Sequence, residues 1–200
     1  MPRWQPFCRE SEMKNALILA SSSPRRLDLM KAQGWEVEVI ASAAEELHDR
    51  AIDFRELCRH NARLKAEDIA RQQPGRVVIG ADTLVCLAGQ PLGKPKDLAE
   101  AAAMLRALSG QVNLVCTGVC VVDEKGQSHV FDEVTEVHFL DLSEEMIARY
   151  MQAVHTLDKA GGYAVQEHGD WIIREVRGDR DNVVGLPVAK LRDFLHQLGL

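Results

Sequence analysis

The sequence has little cysteine and few aromatic residues, and each shortage excludes a class of protein. Its five cysteines are odd in number and form no CxxC pair, which argues against a disulfide framework and against a cysteine zinc site. Several of them lie inside apolar runs, which is typical of cysteines that act as small core residues. Free cysteines suit a reducing cytoplasm. Aromatic residues make up 5% of the chain and hydrophobic residues 46%, so the expected core is mainly aliphatic.

Long hydrophobic runs and excess positive charge are also missing. No apolar run approaches the roughly 20 residues of a membrane-spanning helix, and the first twelve residues lack the apolar centre of a signal peptide. The formal net charge is -6, whereas general nucleic-acid-binding proteins are more often basic. We therefore expect a cytoplasmic protein that binds neither membrane nor nucleic acid. A small anionic ligand is compatible with this charge, because it needs only a local cluster of positive groups.

The common nucleotide-binding and metal-binding signatures are absent. There is no Walker GxxxxGK[ST], no GxGxxG fingerprint and no HExxH. The seven histidines are scattered without ligand spacing, so we interpret them as surface or satisfied core residues.

Helical and extended patterns alternate along the chain without a linker or a repeat. Apolar runs predict strands at 15–20, 35–40, 77–87 and 171–176, and an antiparallel hairpin at 114–122 and 130–139. Helices are predicted to begin at Ser23-Pro24, Phe54, Asp97, Ser143 and Pro187. The prediction is an α/β fold with a mixed sheet. Residues 1–13 show no pattern and are expected to form a flexible extension, or to precede a natural start at Met13, whereas 14–200 form a single domain.

The segment SSSPRR lies where a predicted strand meets the N-terminus of a predicted helix. Ser23 can cap this helix and Pro24 suits its first position. Unpaired backbone N–H groups and the positive end of the helix dipole favour an anion there. The hydroxyls of Ser21 and Ser23, with Arg25 and Arg26, would complete such a site. An ordinary cap with two solvated arginines explains the same residues, and taken alone it is the better explanation.

Two charged residues occupy positions where structure alone would favour apolar ones. Asp82 interrupts a buried strand, where a carboxylate is costly unless it is paired, bound to metal or at the open end of the strand. The alternative is a structural aspartate that accepts backbone hydrogen bonds. Lys65 falls at the centre of an apolar helical stripe, where a lysine must snorkel or point into a cleft. We expect Lys65 to form an ion pair with a substrate phosphate. The alternative is an ion pair with a neighbouring carboxylate.

A third charged residue, Lys94, lies between two turn residues in Gly93-Lys94-Pro95. These residues hold a lysine on a short loop beside the strand of Asp82. A plain surface turn is the commoner explanation for such a tripeptide.

Seven short motifs occur in a fixed order along the chain. They are LASSSPRR, the Lys65-Ala66 pair, GADTLV, GKPKD, MLRALSG, KAGGYAVQ and NVVGLPV. Together they resemble the Maf family of septum formation proteins and nucleoside triphosphate pyrophosphatases, from about Asn15 to the C-terminus. The resemblance implies a mixed, twisted sheet flanked by helices, in the fold of the inosine triphosphate pyrophosphatases, with a central cleft between two lobes.

The resemblance also implies an activity. A nucleoside triphosphate would be hydrolysed between its α and β phosphates, assisted by a divalent cation such as magnesium, manganese or cobalt. Asp82 matches the catalytic acidic residue of the family, which also binds the metal. Arg25, Lys65 and Lys94 match its phosphate-contacting basic residues.

A metal-binding or catalytic glutamate of the family falls at Glu45 or Glu46, and the resemblance alone does not choose between them. Arg25, Thr83 and Gln166 match the branch that hydrolyses dTTP and UTP.

Two rivals are a phosphatase that removes the terminal phosphate and a non-catalytic nucleotide-sensing regulator of septation. A homodimer is the one protein assembly considered, and the sequence does not establish it.

Overall fold

The computed structural model describes residues 16–49 and 51–200, so the extension expected at 1–13 lies outside the described residues. Within them, seven strands form one mixed sheet. The strands are β1 (Leu17–Leu19), β2 (Val37–Val39), β3 (Val78–Leu87), β4 (Gln90–Leu92), β5 (Val112–Val122), β6 (Ser128–Phe139) and β7 (Ile173–Arg177). The helices are α1 (Pro24–Ala32), α2 (Phe54–Gln72), α3 (Leu98–Leu108), α4 (Glu144–Ala153), α5 (Arg180–Val184) and α6 (Val188–Leu198), with single 3-10 turns at Ala160–Gly162 and Gly169–Trp171.

The strand order is β2-β1-β3-β5-β6-β7, with β4 paired to the far end of β3. β1 runs parallel to β2 and to β3. Parallel strands need a crossover connection, and helix α1 lies between β1 and β2 in the chain while helix α2 lies between β2 and β3. The remaining pairs are antiparallel, and a short turn joins β5 to β6 over eleven paired positions. The predicted α/β class, the mixed sheet and the β5–β6 hairpin are therefore confirmed.

Hydrophobic side chains pack on both faces of the sheet. One cluster lies between the sheet and α6 and includes Ile79, Leu186 and Leu191. A second cluster on the same face includes Leu105 of α3 and Tyr150 of α4, and the opposite face packs against Ala62, Ala66 and Ile69 of α2. The first cluster contains Met30 of α1 and the opposite face holds α2, and these are the two helices that border the cleft described below.

Helix α2 lies unusually close to β3 and β5 because two glycines leave room for it. A Cβ at Gly80 would overlap the Ala62 carbonyl oxygen, and a Cβ at Gly118 would overlap the backbone of Cys58. Gly118 is also the strand partner of Asp82. The closest approach of helix and sheet therefore lies beside this buried carboxylate.

Two short elements were not predicted and one prediction differs from the structure. The strand Gln90–Leu92 and the five-residue helix α5 were not predicted, because elements this short show no periodicity. Ser23 is the residue before α1, yet its side chain makes no capping hydrogen bond. Its backbone N–H instead donates to Ser21 Oγ at 3.2 Å.

Candidate active site

A cleft of about 700 Å³ opens beside the N-terminus of α1. The loop at 42–48, helix α2, strand β3 and the segments 158–166 and 183–185 form its walls. Nearly every candidate site residue lines it: Ser21, Ser23, Arg25, Arg26, Glu46, Lys65, Asp82, Thr83, Lys94 and Gln166. Residues far apart in sequence are thus brought to one place.

Two carboxylates of this set share one ammonium group. Lys65 Nζ lies 2.8 Å from Asp82 Oδ1 and 2.7 Å from Glu46 Oε1. The side chain of Asp82 is 8% exposed and that of Lys65 is 13% exposed, whereas that of Glu46 is 40% exposed. The sequence predicts that Lys65 forms its ion pair with a substrate phosphate. The structure corrects this prediction, because two carboxylates already pair with the ammonium group in the free protein.

The extended loop at 42–48 separates the two glutamate candidates. Ala44, Glu46 and His48 line the cleft, as alternate residues of an extended segment do. Glu45 is exposed and lies outside the cleft lining. The structure therefore brings Glu46, and not Glu45, to Asp82.

The Asp82–Glu46 pair fits a divalent cation. Its carboxylate oxygens already converge on one cationic centre, and magnesium-like ions take oxygen ligands, usually one or two carboxylates with water and phosphate. Across 16–49 and 51–200, no group of three or more His, Cys, Asp and Glu side chains could hold a metal ion. Water and substrate oxygens would complete the coordination.

The two adjacent arginines of α1 point to different tasks. Arg26 is buried and donates to Ser21 Oγ at 2.9 Å, Thr83 Oγ1 at 3.0 Å and the Gly185 carbonyl at 2.8 Å. Burial lowers the pKa of its guanidinium, and the negative charges of Asp82 and Glu46 oppose that shift. The contacts of Arg26 hold the cleft wall together, and its charge adds to the field of the cleft. That Arg26 binds substrate stays a prediction.

Arg25 reaches across the cleft to the segment at 158–166. Its Nη1 lies 3.0 Å from Asp158 Oδ2, and Lys159 Nζ lies 2.8 Å from the other oxygen of Asp158. Burial opposes ionisation of Asp158, but the hydrogen bonds from Lys159 and Arg25 outweigh it, so its pKa lies below its ordinary value. Arg25 keeps 29% of its side chain exposed and can reach a ligand.

Thr83 and Gln166 differ in how free they are. The Thr83 hydroxyl is 2.9 Å from Thr117 Oγ1 and accepts from Arg26, so the protein already uses it. Gln166 and Lys94 are exposed at the cleft and are accessible to a ligand.

Comparison with known proteins decides the family. A family model described as Maf-like protein matches residues 16–198. The chain belongs to the Maf-like family.

Named relatives of this Maf-like protein cover almost all of it. A dTTP/UTP pyrophosphatase of Akkermansia muciniphila is 49% identical over 183 residues, covering 92% of this chain and 96% of the relative. A dTTP/UTP pyrophosphatase of Bacillus pumilus is 44% identical over 186 residues, covering 93% and 98%. The solved structure of the Staphylococcus aureus Ham1 protein superposes with a TM-score of 0.54 at 18% identity, covering 91% of this chain and 98% of that one. That likeness shows the fold.

Sequence reasoning missed Asp158 and Lys159, which line the cleft of this Maf-like protein, and Asn61, which contacts Asp82. Asn61, Asp158 and Lys159 are polar groups bonded to predicted site residues or to each other. Asn61 carries a signal, since it lies four residues before Lys65 on the same helical face. Lys159 and Asp158 lie in a glycine-rich segment, where no periodicity shows which side chains turn inward.

No helix in the described part of the chain combines the length and the apolar character that crossing a bilayer requires.

Proposed function

We propose that this Maf-like protein hydrolyses nucleoside triphosphates between the α and β phosphates, giving a nucleoside monophosphate and pyrophosphate. The observation that carries the proposal is the buried carboxylate of Asp82, placed with Glu46 and Lys65 inside a cleft bordered by further cations. A nucleotide sensor needs the cations alone. Activating water for attack on phosphorus needs a carboxylate as well. The relatives named dTTP/UTP pyrophosphatases support the same reaction.

The cations supply the field in which a triphosphate can react. Phosphoryl transfer requires charge on the phosphate oxygens to be neutralised and the nucleophile to be held in line. Arg25, Lys65 and Lys94 border the cleft, and the N-terminus of α1 points its positive dipole end to the same place. Arg25 is paired with Asp158, and Lys65 with Asp82 and Glu46, so a triphosphate gains these cations by competing with carboxylates that already hold them.

Asp82 is the residue proposed to handle the water. Lys65 holds its Oδ1 and Asn61 contacts its Oδ2 at 3.3 Å, so the carboxylate has a defined orientation. It can orient a water molecule and accept its proton. A divalent cation on Asp82 and Glu46, whether magnesium, manganese or cobalt, would supply charge neutralisation and a lower pKa for bound water.

The proposed substrates are dTTP and UTP. The names of the relatives support this choice. The exposed amide of Gln166 offers one donor group and one acceptor, which suits the edge of a pyrimidine. Arg25 and Thr83 border the same cleft, with the Thr83 hydroxyl held by Arg26.

Product analysis tests the reaction. Purified protein incubated with dTTP and magnesium should release pyrophosphate and dTMP, and a chelator should stop turnover. Release of orthophosphate alone would indicate the terminal phosphatase, and binding without any product would indicate the sensor.

The variant Asp82→Asn keeps the shape of the side chain and removes its charge and basicity. Loss of a general base costs about 10²–10⁴-fold in rate, so kcat should fall at least that far. Asp123→Asn is the matched control, because Asp123 lies in the β5–β6 turn outside the cleft lining and bonds His129. A kcat for Asp82→Asn within a few-fold of wild type would make Asp82 structural.

We also propose that residues 14–200 act as one unit and that the protein works in the cytoplasm. The free, buried state of Cys58, Cys86, Cys116 and Cys120 suits a reducing compartment. A homodimer is an assembly to test by sedimentation.

A further inference from the structure

We propose that Asn61 is a positioning residue that fixes the two cleft carboxylates relative to each other. Asn61 lies on α2 and its side chain contacts both the strand of Asp82 and the loop of Glu46. Where it concerns turnover, this inference rests on the proposed pyrophosphatase function.

The contacts of Asn61 join two segments that no backbone pairing connects. Its Nδ2 donates to Asp82 Oδ2 at 3.3 Å and to the Leu47 carbonyl at 3.1 Å. Its Oδ1 accepts from the Leu47 N–H at 2.9 Å. Leu47 directly follows Glu46. The amide of Asn61 therefore links the backbone next to Glu46 to the carboxylate oxygen Oδ2 of Asp82.

Only one orientation of the amide satisfies these partners. The Asp82 carboxylate and the Leu47 carbonyl need donors, and the Leu47 N–H needs an acceptor. An amide group has two donor hydrogens and one carbonyl oxygen, which match this demand. Asn61 is 1% exposed, and leaving a polar group unsatisfied at that depth is costly. The arrangement is therefore rigid as well as complete.

Lys65 closes the same ring but cannot fix it alone. Its ammonium joins Asp82 to Glu46 through a flexible four-carbon chain. The third donor of Lys65 faces the Ala81 carbonyl at 3.4 Å, and a substrate phosphate that takes a donor from Asp82 or Glu46 would break the link through Lys65. Asn61, with a short buried side chain, would then be the link that still holds the Glu46 loop to Asp82.

A second anchor of the same loop provides a matched control. Asp68, also on α2, accepts from Ser42 Oγ at 2.7 Å and from the Ala43 N–H at 3.2 Å. Asp68 is bonded to the loop but not to Asp82. Asp68→Ala therefore loosens the loop while leaving the contact between Asn61 and Asp82 intact.

The experiment compares Asn61→Leu, Asn61→Ala and Asp68→Ala with wild type. Asn61→Ala removes the amide without adding charge or bulk, so it serves if Asn61→Leu fails to fold. Three quantities are measured: binding of Mn²⁺ alone by electron paramagnetic resonance, hydrogen exchange over 42–48, and kcat and KM for dTTP with Mg²⁺.

Loss of a residue that orients a metal ligand costs about 10–100-fold in metal affinity or activity. Both Asn61 variants should weaken Mn²⁺ binding and lower kcat by at least about tenfold, with KM for dTTP changed much less. Exchange at 46–48 should rise in Asn61→Leu. Asp68→Ala should raise exchange at 42–44 and keep Mn²⁺ binding close to that of wild type.

Two results would overturn the inference. One is wild-type Mn²⁺ affinity in both folded Asn61 variants, and the other is an equal loss of Mn²⁺ affinity in Asp68→Ala, which would show that general loop tethering is responsible. If wild-type protein hydrolyses no triphosphate while the Asn61 variants still lose Mn²⁺ affinity, the proposed function fails and the positioning role of Asn61 stands.

Discussion

Lys65 shows how one side chain can serve both the free protein and its ligand. Its ammonium is bonded to a deeply buried carboxylate, Asp82, and to a more exposed one, Glu46. Removing one partner of a buried ion pair is costly because the other charge is left without compensation. The lysine is thus part of the folded structure as well as a candidate phosphate ligand.

This pairing leads to a prediction for Lys65→Met. The variant should lose about 2–4 kcal/mol of stability, since Asp82 is left with Asn61 as its remaining partner. The double variant Lys65→Met/Asp82→Asn should recover part of that loss, because the stranded charge is gone. Thermal unfolding of the wild type, both single variants and the double variant measures the coupling. An unchanged melting temperature in Lys65→Met would contradict the pairing.

Gln166 gives a prediction about substrate choice. Gln166→Ala removes the exposed amide at the cleft while leaving the acidic pair in place. The preference for dTTP and UTP over purine triphosphates should fall about tenfold, the value of one or two hydrogen bonds. The measurement is kcat/KM for each nucleotide. An equal loss on every nucleotide would show that Gln166 does not contact the base.

The individual residues show which parts of a site a sequence can reveal. Asp82 and Lys65 could be predicted because charge interrupts an apolar pattern at each position. Choosing Glu46 over Glu45 required knowing which alternate residues of the extended loop at 42–48 face the cleft. No local sequence pattern determines this. Arg26 turns inward towards Thr83 and Gly185, which are 57 and 159 positions away in sequence, as well as towards Ser21. The contacts of Asn61 reach residues 14 and 21 positions away. Partners this distant could not be predicted from a local pattern.

At the scale of elements, α2 places the acidic site by lying close to the sheet. Asn61 and Lys65 both face β3, and the glycines at positions 80 and 118 permit this approach. Long strands and long amphipathic helices were predictable, because their periodicity extends over many residues. The distance between helix and sheet was not, since it depends on the absence of a side chain at two positions far apart in sequence.

Gly80→Ala tests this packing. Its Cβ would overlap the backbone of α2 at Ala62, which cannot yield as a flexible side chain can. The helix must shift, so stability should fall by about 1–3 kcal/mol, as in overpacked cores, and kcat should fall with it.

Gly126→Ala is the control. Gly126 has φ +78° at the β5–β6 turn with nothing near its missing Cβ, so the change should cost about 1 kcal/mol of stability and leave kcat unchanged. A normal kcat in Gly80→Ala would separate α2 placement from catalysis.

At the scale of the whole molecule, the cleft joins parts of the chain more than one hundred residues apart. Arg25 of α1 is bonded to Asp158, and Arg26 to the carbonyl of Gly185. Cations on one wall therefore already meet an anion or a carbonyl from another. A triphosphate entering the cleft would exchange with Asp158 as the partner of Arg25, so binding energy is a difference between two sets of contacts.

The last prediction concerns coupling between nucleotide and metal, because the cleft combines cations for phosphate with carboxylates for a metal. Neither ligand alone uses all of these groups, so each should raise the affinity of the other. A dTTP analogue with a non-hydrolysable α,β bridge, at about 100 times its Kd with Mg²⁺, should stabilise the fold by about 2.7 kcal/mol. For a chain of this size that corresponds to a melting temperature about 5–10 °C higher. The analogue with a chelator, and Mg²⁺ without nucleotide, should give clearly smaller shifts. Glu46→Gln removes one of the two proposed metal ligands, so it should reduce the shift of the combination towards that of the analogue alone. The fold should tolerate this variant, because Glu46 is the more exposed of the two carboxylates and Asp82 stays paired with Lys65. A shift that is equal with and without Mg²⁺ would mean that the two carboxylates hold no metal that supports nucleotide binding, and that nucleotide binds through the cations alone.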